Sequence, residues 1–495
     1  MFDLPSRLLG SVLFVVFSPL LQSAPPNVVI ILTDNHGPWT LGCYGSREIL
    51  TPNIDRLAAE GTLFERAFAN NAVCSPTRAT LLTGLMPSQH GVHRYLGAGG
   101  AQVGPGAYCT IAEFPTLPKI FKAAGYACGL SGKWHLGGNM EPQEGFSYWI
   151  TKPHGHSPGF YDQEIIEAGD IRKEPGYLTD LWTEHAVDFI DQNSTHPFFL
   201  LLAYNGPYGL SNAMHEPIRN RFRDIYEANS EMPSFPRATP HPWLKSQHNN
   251  INNLQAMRKY AAEVSAIDDG VGTVMEKLRS SGLDDNTIVI FVADQGLAGG
   301  HSGFWGMGDH TRPLTAYDPM LSIPLIIWQP GTVRSGYRCH NVVANYDLFP
   351  SLLKLAGLED QLANIPNLPG RDLTDLMNGQ AENWDDVMYF EFENVRAIRT
   401  RQWKYIDRIH QEPDELFYLP DDPGELHNLI AEPDHRETQV ALAKRLVAFF
   451  NRYSSPEWDL WHGGSSKSGL LTSRLFEEAN PQAKLPVKEG RTSTP

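Results

Sequence analysis

Asn27-Val28-Val29-Ile30-Ile31-Leu32, running into Thr33-Asp34-Asn35-His36-Gly37, is the stretch that decides how this sequence folds. An unbroken apolar run rich in β-branched residues reads as a strand buried on both faces, the kind found in parallel sheets. Its end delivers an acid and an amide at the strand's carboxyl terminus. Working outward, Thr51-Pro52 caps a helix that extends through Glu60 and stops at Gly61. A second helix, Pro118 to Ala124, feeds a strand from Tyr126 to Leu130, which leads into Gly132-Lys133-Trp134-His135. Phe198 to Tyr204 reads as another buried strand. A long helix from about Asn253 to Leu278 turns through Gly282-Leu283-Asp284-Asp285 into a strand, Thr287 to Ala293, ending at Asp294-Gln295-Gly296. Strands alternating with helices predict an α/β fold, a large mostly parallel sheet flanked by helices. Such sheets bind ligands beyond the carboxyl ends of their strands. Asp34-Asn35, Lys133 with His135, and Asp294-Gln295 are all expected at that one edge.

The remaining sequence sets the boundaries. With 495 residues the chain suits one large domain and a smaller one, and 41% apolar with 11% aromatic residues supplies ample core. From about Glu382 short strands at hairpin spacing (Val387 to Glu391, Val395 to Arg399, Trp403 to Asp407) precede an amphipathic helix, Glu437 to Tyr453. The expected division is a signal peptide over 1–24, a catalytic domain over 25–375, a C-terminal α+β subdomain with an antiparallel sheet over 376–462, and a tail over 463–495. Arg7, the apolar run Leu8 to Leu21 and the small-residue exit Ser23-Ala24 predict export to the periplasm or exterior, with no membrane span once the leader is removed. The net charge of −16 excludes broad binding to nucleic acid or anionic membrane, so any attraction for an anionic substrate must be local. Five cysteines (43, 74, 109, 128 and 339) match no zinc or thioredoxin spacing, and their odd number leaves at least one unpaired.

One cysteine stands apart. Cys74-Ser75-Pro76-Thr77-Arg78 is followed by Ala79-Thr80-Leu81-Leu82-Thr83-Gly84. A buried cysteine before a helix is ordinarily a small hydrophobe, which explains neither the proline and arginine spacing nor the Leu-Thr-Gly. The segment resembles the signature C-x-P-x-R-x-x-x-L-T-G of the type I, formylglycine-dependent sulfatases of the alkaline phosphatase superfamily, at every fixed position. The resemblance continues in order through Thr51-Pro52-Asn53-Ile54-Asp55-Arg56-Leu57-Ala58, Gly132-Lys133-Trp134-His135-Leu136-Gly137, Asp294-Gln295-Gly296 and Glu415-Leu416-Phe417-Tyr418-Leu419. It implies that a formylglycine-generating enzyme oxidises Cys74 to an aldehyde whose hydrate carries two hydroxyls: one attacks sulfur, and the other collapses to release sulfate. It also implies a divalent hard cation, usually calcium, on Asp34, Asn35, Asp294 and Gln295 with the modified residue 74. Arg78 and Lys133 would hold the sulfate; Asp294 would help deprotonate the nucleophile, and His135 would tune it. Isolated histidines such as His185 and His427 read as structural.

Four departures from the family stand out. Asp34-Asn35 replaces the usual paired aspartates, and Gln295 replaces the commoner asparagine. Tyr208 stands where the family strand Y-N-A-P-H offers its histidine. The family's second substrate-binding lysine has no counterpart between Asp294 and Tyr317-Asp318, where Asp309-His310-Thr311-Arg312 offers His310 and Arg312 instead. His310 is the expected proton donor to the leaving group or sulfate ligand. The reading is a sulfuric ester hydrolase acting on a sulfated carbohydrate or an aryl sulfate. A phosphonate monoester or phosphodiester hydrolase sharing the cysteine device, and a non-catalytic glycan-binding relative, are the alternatives.

Overall fold

The computed structural model describes residues 24–210, 212–365, 367–409 and 413–472. The expected leader lies outside these residues but for its last position. The run that opens the chain forms a strand, Asn27–Asp34, buried along its whole length. It lies between two parallel neighbours, Phe198–Pro207 and Thr287–Ala293. Withdrawing each such Val, Ile or Leu from water contributes roughly 1.5–3 kcal/mol, so the strand is a fixed post, and Asp34 stands at its end.

Ala127–Gly132 and Tyr148–Thr151 extend the parallel centre on one side. Beyond them a hairpin, Gln163–Glu167 with Asp170–Glu174, pairs antiparallel. On the other side Leu325–Trp328 runs antiparallel to its neighbours, followed by Thr62–Phe68 and then Tyr337–Ala344, with Ser322–Ile323 pairing off the path. The result is an 11-stranded mixed sheet whose parallel centre carries the site residues. Helices cover it, among them Pro52–Glu60 and Leu178–Gln192, each of which packs on Leu254–Ser280.

Two local devices differ from simple propensity. The hydroxyl of Thr51 does not cap the helix it precedes: it donates to Asp55 and accepts from the Gly42 N–H. The cap is Asp268 on the long helix, accepting from the N–H groups of Ile54 (2.7 Å) and Asn53 (3.2 Å). A carboxylate satisfies orphan donors at a helix N-terminus better than a hydroxyl does, and it also answers the dipole. Gly132, at φ +115°, permits a close crossing, since any Cβ there would lie 1.9 Å from the Ala203 carbonyl oxygen. The Lys133 N–H then reaches that oxygen at 2.7 Å, which anchors the Lys133 backbone at the end of the central strands.

Val387–Phe392, Val395–Thr400, Trp403–Arg408 and Glu415–Tyr418 form a separate four-stranded antiparallel sheet. The helix Arg436–Tyr453 lies on it through the stacked rings of Tyr389 and Phe449, with centroids 3.8 Å apart. Buried ion pairs join this sheet to the larger one, with Asp318 held by Arg399 at 2.9 Å and by Lys404. The chain after Gly463 wraps back over the large unit and then onto the turn between the first two strands of the small sheet. Lys467 donates its N–H to Gly91 O, the Ser468 hydroxyl accepts from the N–H groups of His93 and Arg94, and the Leu471 and Thr472 N–H groups meet the Glu393 carboxylate. This wrap braces the loop that continues to Tyr95 and Leu96, beside the site described next. All five cysteines are free thiols. No helix among the described residues is long and apolar enough to cross a membrane.

Candidate active site

Cys74 opens the helix Cys74–Thr83. Pro76 is tolerated in that first turn because its missing N–H has no partner to lose there. Four residues on, Arg78 falls on the same face. The Cys74 sulfur therefore sits at the positive end of a helix dipole, where an anion is stabilised.

Strand ends converge on this sulfur. The Asp34 Oδ1 lies 3.5 Å away, and the Gln295 amide nitrogen 3.2 Å. Gln295 also donates to the Asn35 side-chain oxygen. Asp294 Oδ1 accepts the N–H groups of Asn35 (3.2 Å) and Gln295 (2.9 Å), tying two strand ends together. On the far side, the Arg78 Nε donates to Asp294 Oδ2 at 2.9 Å and its Nη1 to the Lys133 carbonyl at 2.6 Å. The Lys133 ammonium pairs with Asp34 and lies 5.5 Å from the Tyr208 ring centroid. All of these side chains are buried.

Backbone strain collects at the same edge. Asn35, His135 and Tyr208, each just beyond a central strand, have φ of 55°, 61° and 63°. Left-handed backbone in residues other than glycine costs on the order of 1–3 kcal/mol each and persists where the surroundings over-determine it. Here the surroundings are explicit. Asn35 donates from Nδ2 to Tyr208 O at 2.8 Å and accepts from Tyr260 Oη through its own carbonyl at 2.6 Å. His135 is held by Ser75, whose hydroxyl donates to its carbonyl at 2.9 Å, and by a contact from its Nε2 to Leu96 O at 2.9 Å.

Electrostatics point to missing partners. Two carboxylates, Asp34 and Asp294, face two cations, Lys133 and Arg78, so the cluster is close to neutral as it stands. Arg78 Nη2 and His135 Nδ1 are buried with no hydrogen-bond partner among the described residues. An acceptor oxygen of a bound anion would satisfy Arg78 Nη2, whereas His135 Nδ1, left as the acceptor nitrogen because Nε2 donates to Leu96 O, needs a hydroxyl or N–H donor. Burial raises the Asp294 carboxyl to about 6, and the nearby Asp34 charge adds to the rise. A divalent cation would relieve that repulsion. Burial, reinforced by Asp34, pushes the Cys74 thiol far above its ordinary range, so an unmodified Cys74 stays protonated and is a poor nucleophile.

The donor set fits a hard cation. Ligand atoms of Asp34, Cys74 and Asp294 all lie within 4.8 Å of one another, and Asn35 and Gln295 add amide groups. Gln295 turns its nitrogen inward here, while its oxygen accepts from Thr77 Oγ1 at 3.3 Å. Turning the amide over keeps that contact, because the Thr77 hydroxyl, which already donates to the Val73 and Cys74 carbonyls, can accept. The inward-facing atom then becomes an oxygen.

Cys74, His135, Tyr208 and His310 line one cavity of about 300 Å³. His310 reaches it from a short turn, Gly308–His310, with its Nδ1 2.8 Å from the Asp309 carboxylate. Burial opposes protonation of this ring, but the Asp309 charge and hydrogen bond outweigh it, and the net shift is upward. Arg312 is placed differently. Its guanidinium donates to the carbonyls of Asp309 (3.0 Å) and Thr311 (2.6 Å) of its own loop, and it does not line the cavity. The cavity also includes Tyr95, Gln102, His154, His156 and Gln247, which sequence reasoning had not singled out. They sit on loops with no periodicity, and the pair of histidines in His154-Gly155-His156 is the one signal that could have drawn attention. His185 is half-buried against the Tyr148 hydroxyl and His427 is exposed, both away from the cavity.

A buried cysteine at a helix N-terminus, two cations and two carboxylates on a parallel sheet edge form a site suited to esters of tetrahedral anions. The sulfatase family model matches residues 26–358, and a second, described as N-sulphoglucosamine sulphohydrolase, C-terminal, matches 306–452. The chain is 26% identical to an N-acetylglucosamine-6-O-sulfatase of Bacteroides thetaiotaomicron, covering 88% of each chain. It is 30% identical to the mouse N-acetylgalactosamine-6-sulfatase, over 86% of this chain and 85% of the relative. A solved structure in complex with its substrate D-glucosamine-2-N,6-O-disulfate shares the fold at a TM-score of 0.67 and 23% identity, covering 87% of this chain and 98% of the other. The chain belongs to the sulfatase family of the alkaline phosphatase superfamily, and it is a sulfatase.

Proposed function

We propose that this enzyme releases inorganic sulfate from a sulfated carbohydrate, with small aryl sulfates as accessory substrates, after a formylglycine-generating enzyme has converted Cys74 to formylglycine. The observation that carries the reading is the environment of Cys74. Its sulfur lies at a helix N-terminus, lines the cavity and is held protonated by burial and Asp34. A thiol so placed is inert, whereas the hydrated aldehyde would supply a hydroxyl nucleophile together with a second hydroxyl through which sulfate is let go.

Asp34, Asn35, Asp294 and Gln295, with residue 74, would hold a calcium ion, which would contribute positive charge against the developing charge on the sulfate oxygens. The protein's own groups do the rest. Arg78, fixed by Asp294 and the Lys133 carbonyl, offers the N–H groups of Nη2, which make no hydrogen bond of their own, to a sulfate oxygen. Lys133 supplies a second cation on the same side, and Asp294 takes up the proton of the attacking hydroxyl. His135, kept neutral by burial and the adjacent Lys133 charge and with its Nε2–H on Leu96 O, offers Nδ1 as an acceptor to the nucleophile's hydroxyl without adding charge. His310, whose raised pKa keeps it protonated nearer neutrality, gives a proton to the departing alcohol. Tyr208 forms the wall beside Lys133.

Residues 25–375 would form the catalytic domain and 376–462 the smaller one that buttresses it, and the N-terminal leader would direct export. Names of relatives acting on N-acetylglucosamine and N-acetylgalactosamine 6-sulfates support a sugar substrate. The test is sulfate release from a panel of purified sulfated mono- and oligosaccharides, alongside aryl sulfate, aryl phosphate and phosphonate esters. Turnover of phosphonate esters well above every sulfate would replace this reading with the phosphonate hydrolase one, and glycan binding without turnover would replace it with a non-catalytic role.

A further inference from the structure

We propose that His156 is a substrate-contacting specificity residue, presenting its Nε2–H to the sugar that carries the sulfate, with Tyr208 fixing its tautomer; the proposal rests on the sulfated-sugar reading above and deepens it.

The argument begins with a hydrogen-bond chain. Tyr208 occupies the place where related strands offer a histidine. Its hydroxyl lies 2.9 Å from the His156 Nδ1. We assign the hydroxyl as donor to Nδ1 in this pair. The neutral imidazole then carries its hydrogen on Nε2. Burial and the charges of Lys152 and Lys133 hold His156 below the ordinary histidine value, in keeping with a neutral ring.

The loop that carries His156 is built to stay in place. The Lys152 ammonium donates to the His156 carbonyl (3.2 Å) and the Ser157 hydroxyl (3.0 Å). Asn139 Nδ2 donates to the carbonyls of Lys152 (2.9 Å) and Pro153 (3.1 Å), and Asn205 Nδ2 reaches Ser157 Oγ at 3.4 Å. Gly155 lies flat on the His135 ring, where any Cβ would meet Nδ1 at 2.1 Å. The loop is thus pressed against a ring that shares the cavity with Cys74.

Position decides the partner. The sulfate end of any substrate is drawn to the buried groups, Cys74, Arg78 and Lys133. The group that carries the sulfate must project toward the open side, where His156 lines the same cavity and is itself exposed. A neutral N–H donor there suits an acceptor oxygen carried by the sugar and gains little from a flat apolar aryl ring. His156 and His310 therefore divide the work. The first holds the sugar, and the second protonates the oxygen that leaves.

The experiment compares mature wild-type enzyme with His156→Ala, His156→Gln and Tyr208→Phe, on the sulfated sugar that wild type turns over best and on 4-nitrophenyl sulfate. His156→Ala should raise KM for the sugar roughly 3- to 10-fold, the worth of one neutral hydrogen bond, with kcat little moved. The effect on 4-nitrophenyl sulfate should be far smaller. His156→Gln, whose amide N–H reaches the place of Nε2, should regain most of the loss. Tyr208→Phe keeps the ring but frees Nδ1, and should give an intermediate rise in sugar KM. Equal losses on both substrates, no loss on either, or a loss that His156→Gln does not relieve would each overturn the assignment. Wild-type enzyme that desulfates no sugar in the panel would sink the proposed substrate class, and this contact with it. Sugar turnover untouched by His156→Ala sinks the contact alone.

Discussion

The Asp294 carboxylate and the Arg78 guanidinium form a fully buried pair, with Nε and Nη2 both 2.9 Å from the same oxygen, Oδ2. Only Nε meets it in hydrogen-bond geometry; Nη2 is left with donors to spend elsewhere. The same contact therefore secures two strand-to-helix positions and aims a cation at the cavity.

Arg78→Ala should accordingly destabilise and inactivate together. Removing one partner strands a buried charge, a change that costs about 3–5 kcal/mol in comparable pairs. Arg78→Lys keeps the charge but loses the fork that reaches both Asp294 and the Lys133 carbonyl. It should recover most of the stability and little of the turnover. Chemical denaturation and kcat/KM on an aryl sulfate measure the two separately. A fully active Arg78→Lys would show that charge alone suffices.

Modification of Cys74 makes the second expectation. Enzyme matured with a formylglycine-generating enzyme should show an aldehyde in place of the thiol on the tryptic peptide containing residues 72–78. Cys74→Ala should abolish turnover while leaving the melting temperature close to that of the unmodified protein, because the thiol packs as a small buried group. Full activity with an intact thiol would refute the proposed nucleophile.

Much of this site was legible in the sequence because its parts are local. The strand Asn27–Asp34 is apolar on both faces, so its end and the acid on it could be placed from pattern alone. Cys74 and Arg78 share a helix face by spacing. What stayed hidden depends on distant partners or on loops. The cap of the Pro52–Glu60 helix comes from Asp268, more than 200 positions away. The hairpin of Gln163–Glu167 and Asp170–Glu174 alternates only weakly and is antiparallel on a sheet whose centre is parallel. His156 belongs to a loop whose course is set by Lys152, Asn139 and Asn205. Arg312 read as a free cation, but the carbonyls of its own turn use it.

Metal is the third expectation. Exhaustive chelation should remove sulfatase activity, and calcium should restore it. The melting temperature should rise on adding calcium to the stripped protein, since a ligand bound only by the folded state adds about 2.7 kcal/mol at 100 times its dissociation constant. Asp34→Asn should weaken both responses. With one carboxylate fewer than the related paired-aspartate sites, this protein should need more calcium for half-restoration than they do. Activity indifferent to chelation, with no thermal shift, would remove the cation from the proposal.

His310 and Asp309 yield the last expectation, and its sign can be worked out. Asp309, 2.8 Å away, holds His310 above the ordinary histidine value of 6.5 despite burial. A raised histidine contributes stability that is complete below about 6.5 and is lost as pH climbs through its folded value. The melting-temperature gap between wild type and Asp309→Asn should therefore be widest in mild acid and close toward alkaline pH. Activity follows the same proton. A sugar alkoxide leaves poorly without one, whereas an activated aryl oxide scarcely needs it. Desulfation of the sugar should fall on an alkaline limb set by His310, and Asp309→Asn should move that limb to lower pH. His310→Ala should cut kcat on the sugar by roughly 10²–10⁴-fold, the usual contribution of a positioned acid, and affect 4-nitrophenyl sulfate far less. This separates it from His156, whose loss is expected in KM. Equal losses of kcat on both substrates would make His310 a sulfate ligand, and an alkaline limb that does not move in Asp309→Asn would assign the proton to another group.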